Sequence, residues 1–244
     1  MPTCTSSPNA ATGYILAAGV MAPLSGFLAN RFGIKRVYLA SLALFTVFSA
    51  LCGLAPNALV LILYHVLQGA GGAALFPLAF ALLFDAFPEE QRGTANGVFG
   101  LPVLVAPTIG PTLGGYLSQS VDWRWVFYVN IPVGIAGVLL GARVLRAEDG
   151  HRGCRVDLPG FALAAGGLGL LLFGLSNLAY DGWANVRSVS GPIIVALVLL
   201  VLFVPLELRR AEPLVDLRLY RRRTYMLSTL LSIAILTTLC GHAG

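Results

Sequence analysis

The chain has 244 residues, 57% of them hydrophobic and only 11% charged, with a formal net charge of +5 and a mean hydropathy of +0.81. A soluble domain carries about 25% charged residues, and a globule of this length has too little interior to hide so much apolar surface, which excludes a water-soluble fold. The positive balance does not mark a nucleic-acid binder, because the basic residues flank apolar runs, where membrane topology accounts for them.

A helix needs about 20 apolar residues to cross the hydrocarbon layer, and an open sheet edge cannot be satisfied there. Taken in chain order, the apolar runs predict eight spans, at 12–30, 37–55, 59–84, 94–120, 126–145, 158–179, 188–206 and 225–241. The expected fold class is an all-α, polytopic membrane bundle. Of the 16 Lys and Arg residues, 14 fall in the first, third, fifth and seventh gaps; Arg124 and Arg187 alone fall in the others. Positive residues stay on the cytoplasmic side, which sets the sidedness of every loop. Met1 then lies outside, as expected if one preceding helix is absent. Gly244 ends the chain soon after a short apolar run, so the sequence reads as a piece of a longer protein. No Lys or Arg occurs between Met1 and Ala11, so no secretory signal is expected. Cys4, Cys52, Cys154 and Cys240 form no CxxC pair; neither disulfides nor zinc are expected, and the cysteines read as small apolar fillers.

The first cytoplasmic gap runs from Gly26 through Asn30, Arg31 and Gly33 to Lys35 and Arg36. Gly33 suits a sharp reversal, and Arg31 sits where a helix C-terminus favours a cation. In the third span, His65 and Gln68 stand three apart on one helical face. A satisfied buried histidine and a titrating group in a proton path are both open readings. Residues 69–74 spell GxGxxA, but no strand precedes them, so they read as small residues for close helix approach and not as a dinucleotide loop. In the fourth span Ala106, Gly110 and Gly114, with Gly115 beside them, make a stripe of small residues, and Pro102, Pro107 and Pro111 predict a bent helix. Trp123 and Trp125 fit an interfacial aromatic belt. No Ser/His, paired-Asp or HExxH arrangement lies in the spans, so an intramembrane enzyme is not expected.

These segments, in this order, resemble the major facilitator superfamily, and more narrowly its 14-helix drug–proton antiporter branch, the EmrB/QacA type. The likeness runs from about Gly13 to Tyr225. It rests on the loop at 26–36, the histidine span at 65–74, the glycine–proline span at 106–115, the run Trp123-Arg124-Trp125 with Asn130-Ile131-Pro132, and Glu207 with the stretch 212–219. The resemblance implies that the spans correspond to family helices 2 through 9. Residues 1–145 would be a first transporter half without its first helix, 146–157 a cytoplasmic loop, and 158–206 two extra central helices. A basic loop at 207–224 and the start of a second half at 225–244 would follow. It further implies efflux of amphipathic and cationic compounds through the cell (inner, plasma) membrane, driven by the proton gradient with no cofactor. Its partners would be the lipid bilayer, drug-like molecules, protons and, for some members, a periplasmic adaptor protein. The alternative is a truncated, transport-incompetent fragment of such a transporter. Gly26, Asn30, Arg31, Gly33, Lys35 and Arg36 would be the loop signature, with Asp85 pairing Arg31 or Arg36. His65 and Gln68 would line the proton or substrate path, and Ala106, Gly110, Pro111, Gly114 and Gly115 would be the antiporter helix. Two positions depart from the family: Asn30 replaces an acid that helps latch the two halves, and His65 replaces an arginine linked to proton coupling.

Overall fold

The computed structural model describes residues 8–146, 158–183, 185–210, 219–220 and 222–241. The helices are α1 (Pro8–Phe32), α2 (Ile34–Gly53), α3 (Ala58–Ala86), α4 (Arg92–Ser120), α5 (Trp125–Tyr128), α6 (Asn130–Val144), α7 (Leu158–Asp181), α8 (Gly191–Leu208) and α9 (Arg223–Gly241). A 3₁₀ turn, Glu89–Gln91, precedes α4, and a π turn, Val186–Ser190, leads into α8. No strand occurs among the described residues. All eight expected spans fall on helices. Among the described residues, five stretches are long and apolar enough to cross a membrane: Ile34–Gly53, Ala58–Ala86, Trp125–Val144, Pro159–Leu178 and Val186–Leu208. Helices α1, α4 and α9 carry the other three expected spans; at 1.5 Å per residue their 25, 29 and 19 residues reach about 37, 43 and 28 Å. The loop 146–157, apart from Arg146, and residues 211–218 and 221 of the basic loop 207–224 lie outside the described residues.

Large apolar side chains face outward along the whole bundle, Val133 at 71% and Val201 at 68% exposure among them. In water such a surface would aggregate; in lipid it is the normal exterior. Helix association in lipid gains little from hydrophobicity and depends on close packing at small residues. The helices accordingly pack in the order α6, α2, α3, α1, α7, α8, and glycines sit at each of these contacts. Gly71 of α3 lies against the α2 backbone at Phe45 and Ser41, and Gly69 and Gly72 receive Tyr14 of α1. Gly19 of α1 meets Leu172 and Gly169 of α7 meets Val20, while Gly166, Gly167 and Gly174 take Leu199, Leu200 and Ile193 of α8.

The α2–α6 contact is an antiparallel zipper. Leu39, Leu42 and Thr46 press on Gly141, Gly137 and Gly134, and Gly53 is covered by Tyr128 of α5. The spacing alternates three and four residues, the seam of a coiled coil. One polar pair sits in it: Asn130 Nδ2 donates to Ser49 Oγ at 3.2 Å, and Ser49 Oγ donates to the Phe127 carbonyl at 2.9 Å. The expected span 126–145 is interrupted at Val129, between α5 and α6, because Pro132 lacks the N–H that the Tyr128 carbonyl would take. Ser49 supplies a donor at that junction. Helix α4 stands apart, joined to α3 through Phe99, whose ring lies 4.6 Å from Phe80 and 5.8 Å from Phe76.

Candidate functional site

The loop expected at 26–36 is a one-residue junction. Gly33 alone separates α1 from α2, at φ 90° and ψ 140°, a conformation that only glycine adopts without strain. Its N–H still donates to the Ala29 carbonyl at 2.8 Å, so α1 closes its last turn before the chain reverses. Gly33→Ala is expected to cost about 2 kcal/mol, read as a lower midpoint in a detergent unfolding titration. Arg31 closes α1 with its guanidinium 5.5 Å from the Phe32 ring centroid. Asn30 and Arg36 are exposed, and a Cβ on Gly26 would meet nothing within 4 Å. Asp85 is exposed at the end of α3, and the Arg92–Glu89 and Arg124–Asp122 ion pairs seen among the described residues do not involve it.

Lys35 reaches beyond the loop. Its Nζ donates to the Leu145 carbonyl at 2.6 Å and to the Ala142 carbonyl at 2.9 Å, across 110 and 107 residues of sequence. The last carbonyls of a helix have no partners within it and carry the negative end of its dipole. A lysine there satisfies two of them and places a full positive charge against the partial negative one. Lys35 also stands four residues before Leu39 in the zipper spacing, so α2 grips α6 along its whole length. The sequence reading placed this lysine in the loop but not on α6.

The polar centre forms where α1, α2, α3 and α5 meet. Gln68 is 2% exposed. Its Oε1 lies 2.9 Å from His65 Nδ1 and accepts from the Cys52 thiol at 3.7 Å. The His65 ring lies 4.9 Å from Tyr14, tilted by 30°, and meets Phe127 edge-on at 5.4 Å. Phe127 continues to Trp123 at 6.1 Å, and the Arg124 guanidinium covers that indole at 4.6 Å. The structure thus brings His65 and Gln68 together as expected, and adds Tyr14, Cys52 and Phe127. Cys52 had read as an apolar filler; it is fully buried, and its thiol is part of the polar centre.

The α4 stripe is open. Ala106 and Gly110 are exposed, and a Cβ on Gly110, Gly114 or Gly115 would touch nothing within 4 Å. Pro111 lies within the helix, its side chain outside the described part. The described α4 glycines Gly93, Gly97 and Gly100 are open in the same way, whereas the glycines at the α1, α2, α3, α6, α7 and α8 contacts are filled by neighbours. At the far end of the chain, Glu207 is 1% exposed at the end of α8, a buried acid that hydropathy alone places merely at a span terminus.

Comparison with known proteins accounts for this combination of features. The family model described as Major Facilitator Superfamily matches residues 5–243. The chain is 38% identical over 229 residues to a "Multidrug resistance protein B homolog" of Mycobacterium tuberculosis (strain CDC 1551 / Oshkosh), covering 92% of this chain and 42% of that protein. It is 37% identical over 218 residues to "Multidrug transporter protein MdtP" of Bacillus subtilis (strain 168), covering 88% and 40%. It is 34% identical over 222 residues to "Multidrug export protein EmrB" of Haemophilus influenzae (strain ATCC 51907 / DSM 11121 / KW20 / Rd), covering 90% and 43%. The chain therefore spans less than half the length of these curated relatives. With a family match over almost its whole length and a bundle of glycine-packed apolar helices, the chain belongs to the major facilitator superfamily.

Proposed function

We propose that the intact protein is a multidrug exporter of the cell membrane that exchanges amphipathic, often cationic compounds for protons. The observation that carries this reading is the His65–Gln68 centre, a titratable group half-buried where four apolar helices meet, bonded to a buried amide. Ionisable groups at membrane depth are expensive and mark ion or substrate pathways. The relatives' names speak of multidrug resistance, transport and export, which supports drug efflux; the amphipathic, cationic character and the proton exchange are part of the proposal. Transport proceeds by two repeat-related halves rocking around a midplane site. Residues 1–145 are read as one half, 158–206 as two central helices packed on it through α1, and 225–244 as the start of the other half. Drug-dependent collapse of an interior-acid proton gradient in everted vesicles holding the intact transporter tests this. No response to any of a panel of cationic dyes overturns it, and a His65→Ala transporter with an unchanged pH profile removes His65 from the path.

The open α4 stripe is the surface against which the other half bears. Gly110→Leu is expected to leave the unfolding midpoint of the 244-residue chain within about 0.5 kcal/mol of the parent, as surface substitutions do, and to abolish efflux by the intact protein. Asp85 is read as the partner of Arg31 or Arg36 in the transport cycle, an exposed pair worth about 1 kcal/mol or less. A periplasmic adaptor is a further proposed partner. Coverage of 40–43% of the relatives' length favours a second reading for the chain by itself: no transport, since alternation needs two halves. Dye efflux from cells making only these 244 residues would overturn that second reading.

A further inference from the structure

The polar centre holds a detail that neither the loop nor the α4 stripe shares. An amide carbonyl oxygen only accepts hydrogen bonds. Gln68 Oε1 lies 2.9 Å from His65 Nδ1 and receives the Cys52 thiol, and with the oxygen in that place the contact is a hydrogen bond only in the tautomer whose hydrogen is on Nδ1. Which nitrogen of a histidine exchanges protons is set by the bond the other one makes. Gln68 is nearly fully buried and Cys52 is completely so, which leaves that amide little freedom to turn over. The His65 ring is only half-buried.

We propose that Cys52 and Gln68 are positioning residues that hold His65 as its Nδ1–H tautomer, making Nε2 the single atom at which a proton is taken up and released, with Tyr14 and Phe127 as the rings that host the charged imidazole. The step is balanced without a co-reactant. A proton from water binds the Nε2 lone pair, the ring becomes an imidazolium with Nδ1–H still on Gln68 Oε1, and the same proton later leaves from Nε2. The titratable group against the ring is Tyr14 from α1, with Cys52 from α2 reaching it only through Gln68 and Tyr64 on α3 itself one residue away; α5 contributes the uncharged Phe127. No carboxylate stands among them, and the aromatic neighbours take the place of a counter-ion. The proposal deepens the proton-exchange reading above and rests on it for its role in transport, while its geometry is tested separately.

The test is nitrogen NMR of the 244-residue chain in lipid nanodiscs, labelled with ¹⁵N-histidine, at a pH where His65 is neutral. Only His65, His151 and His242 contribute, and His65→Asn assigns the signal. The parent is expected to show a protonated Nδ1 and a bare Nε2. Gln68→Met, which keeps the volume but removes the acceptor, is expected to move the population to Nε2–H, and Cys52→Ala to give a mixture. A parent spectrum with Nε2–H, which needs no variant to fold, overturns the proposal, as does a Gln68→Met spectrum unchanged from the parent. An Nδ1–H signature together with no proton flux in the intact transporter supports the geometry and defeats the exporter reading instead.

Discussion

Gly71→Leu is expected to destroy the bundle. A Cβ at that position would stand 2.8 Å from the Phe45 backbone nitrogen and 3.0 Å from the Ser41 carbonyl oxygen, with Leu44 Cβ at 3.3 Å. Two of these three atoms belong to the α2 main chain, so no side-chain rotation makes room. Either α2 and α3 separate along their length or the rest of the leucine is forced between two backbones. Overpacking of this kind costs about 3 kcal/mol, and separation also strips the Cys52–Gln68 contact one turn away. The expected result is loss of the monodisperse folded form in detergent, followed by chromatography and by an unfolding titration. Gly69→Ala acts on the other side of α3, where the new carbon would lie 2.7 Å from the Tyr14 carbonyl oxygen; a milder loss of the same kind is expected. Gly97→Ala is the internal control, because nothing lies within 4 Å of its Cβ position. A Gly71→Leu chain as stable as the parent would refute the α2–α3 packing described above.

Lys35→Glu is the second large effect. The wild-type ammonium makes two hydrogen bonds to the final carbonyls of α6, and a bond to a charged group contributes about 1.5–3 kcal/mol. The glutamate carries no hydrogen to offer those carbonyls and sets a negative charge against the negative end of the α6 dipole. A loss of about 3 kcal/mol is expected. Hydrogen exchange localises it: amides of residues 139–145 should exchange faster, while those of α7 and α8 keep their protection. Lys35→Met separates the two contributions, because it removes the bonds without adding the repulsion, and should fall between parent and glutamate. Equal protection of 139–145 in all three chains would show that Lys35 does not cap α6.

The helices themselves were legible because the apolar runs have membrane length, and every expected span falls on helix, the span 126–145 on two of them. The break at Val129 was legible only in hindsight: Pro132 announces it, but an apolar run of 20 residues hides it. The α6 glycines at 134, 137 and 141 form a readable small-residue stripe, yet nothing local says that α2 fills it. The same limit applies to Lys35, whose acceptors lie more than a hundred residues away, and to Cys52, whose role depends on which face of α2 turns towards Gln68. At the candidate site, His65 and Gln68 were readable as a pair because helical spacing places them together. Tyr14 and Phe127 were not, since they reach the histidine from other helices, where periodicity carries no information about neighbours.

One property of α2 ties two ends of the molecule together. The same uninterrupted helix carries Lys35, fastened to α6, and Cys52, fastened to the amide beside His65, about 26 Å apart at 1.5 Å per residue. Glycine contacts line both of its flanks, from Gly71 of α3 on one side and Gly134, Gly137 and Gly141 of α6 on the other. A tilt of α2 at its Gly33 junction would therefore carry Cys52 at the far tip, and the histidine's surroundings would shift with it although no charge or ligand had travelled between them.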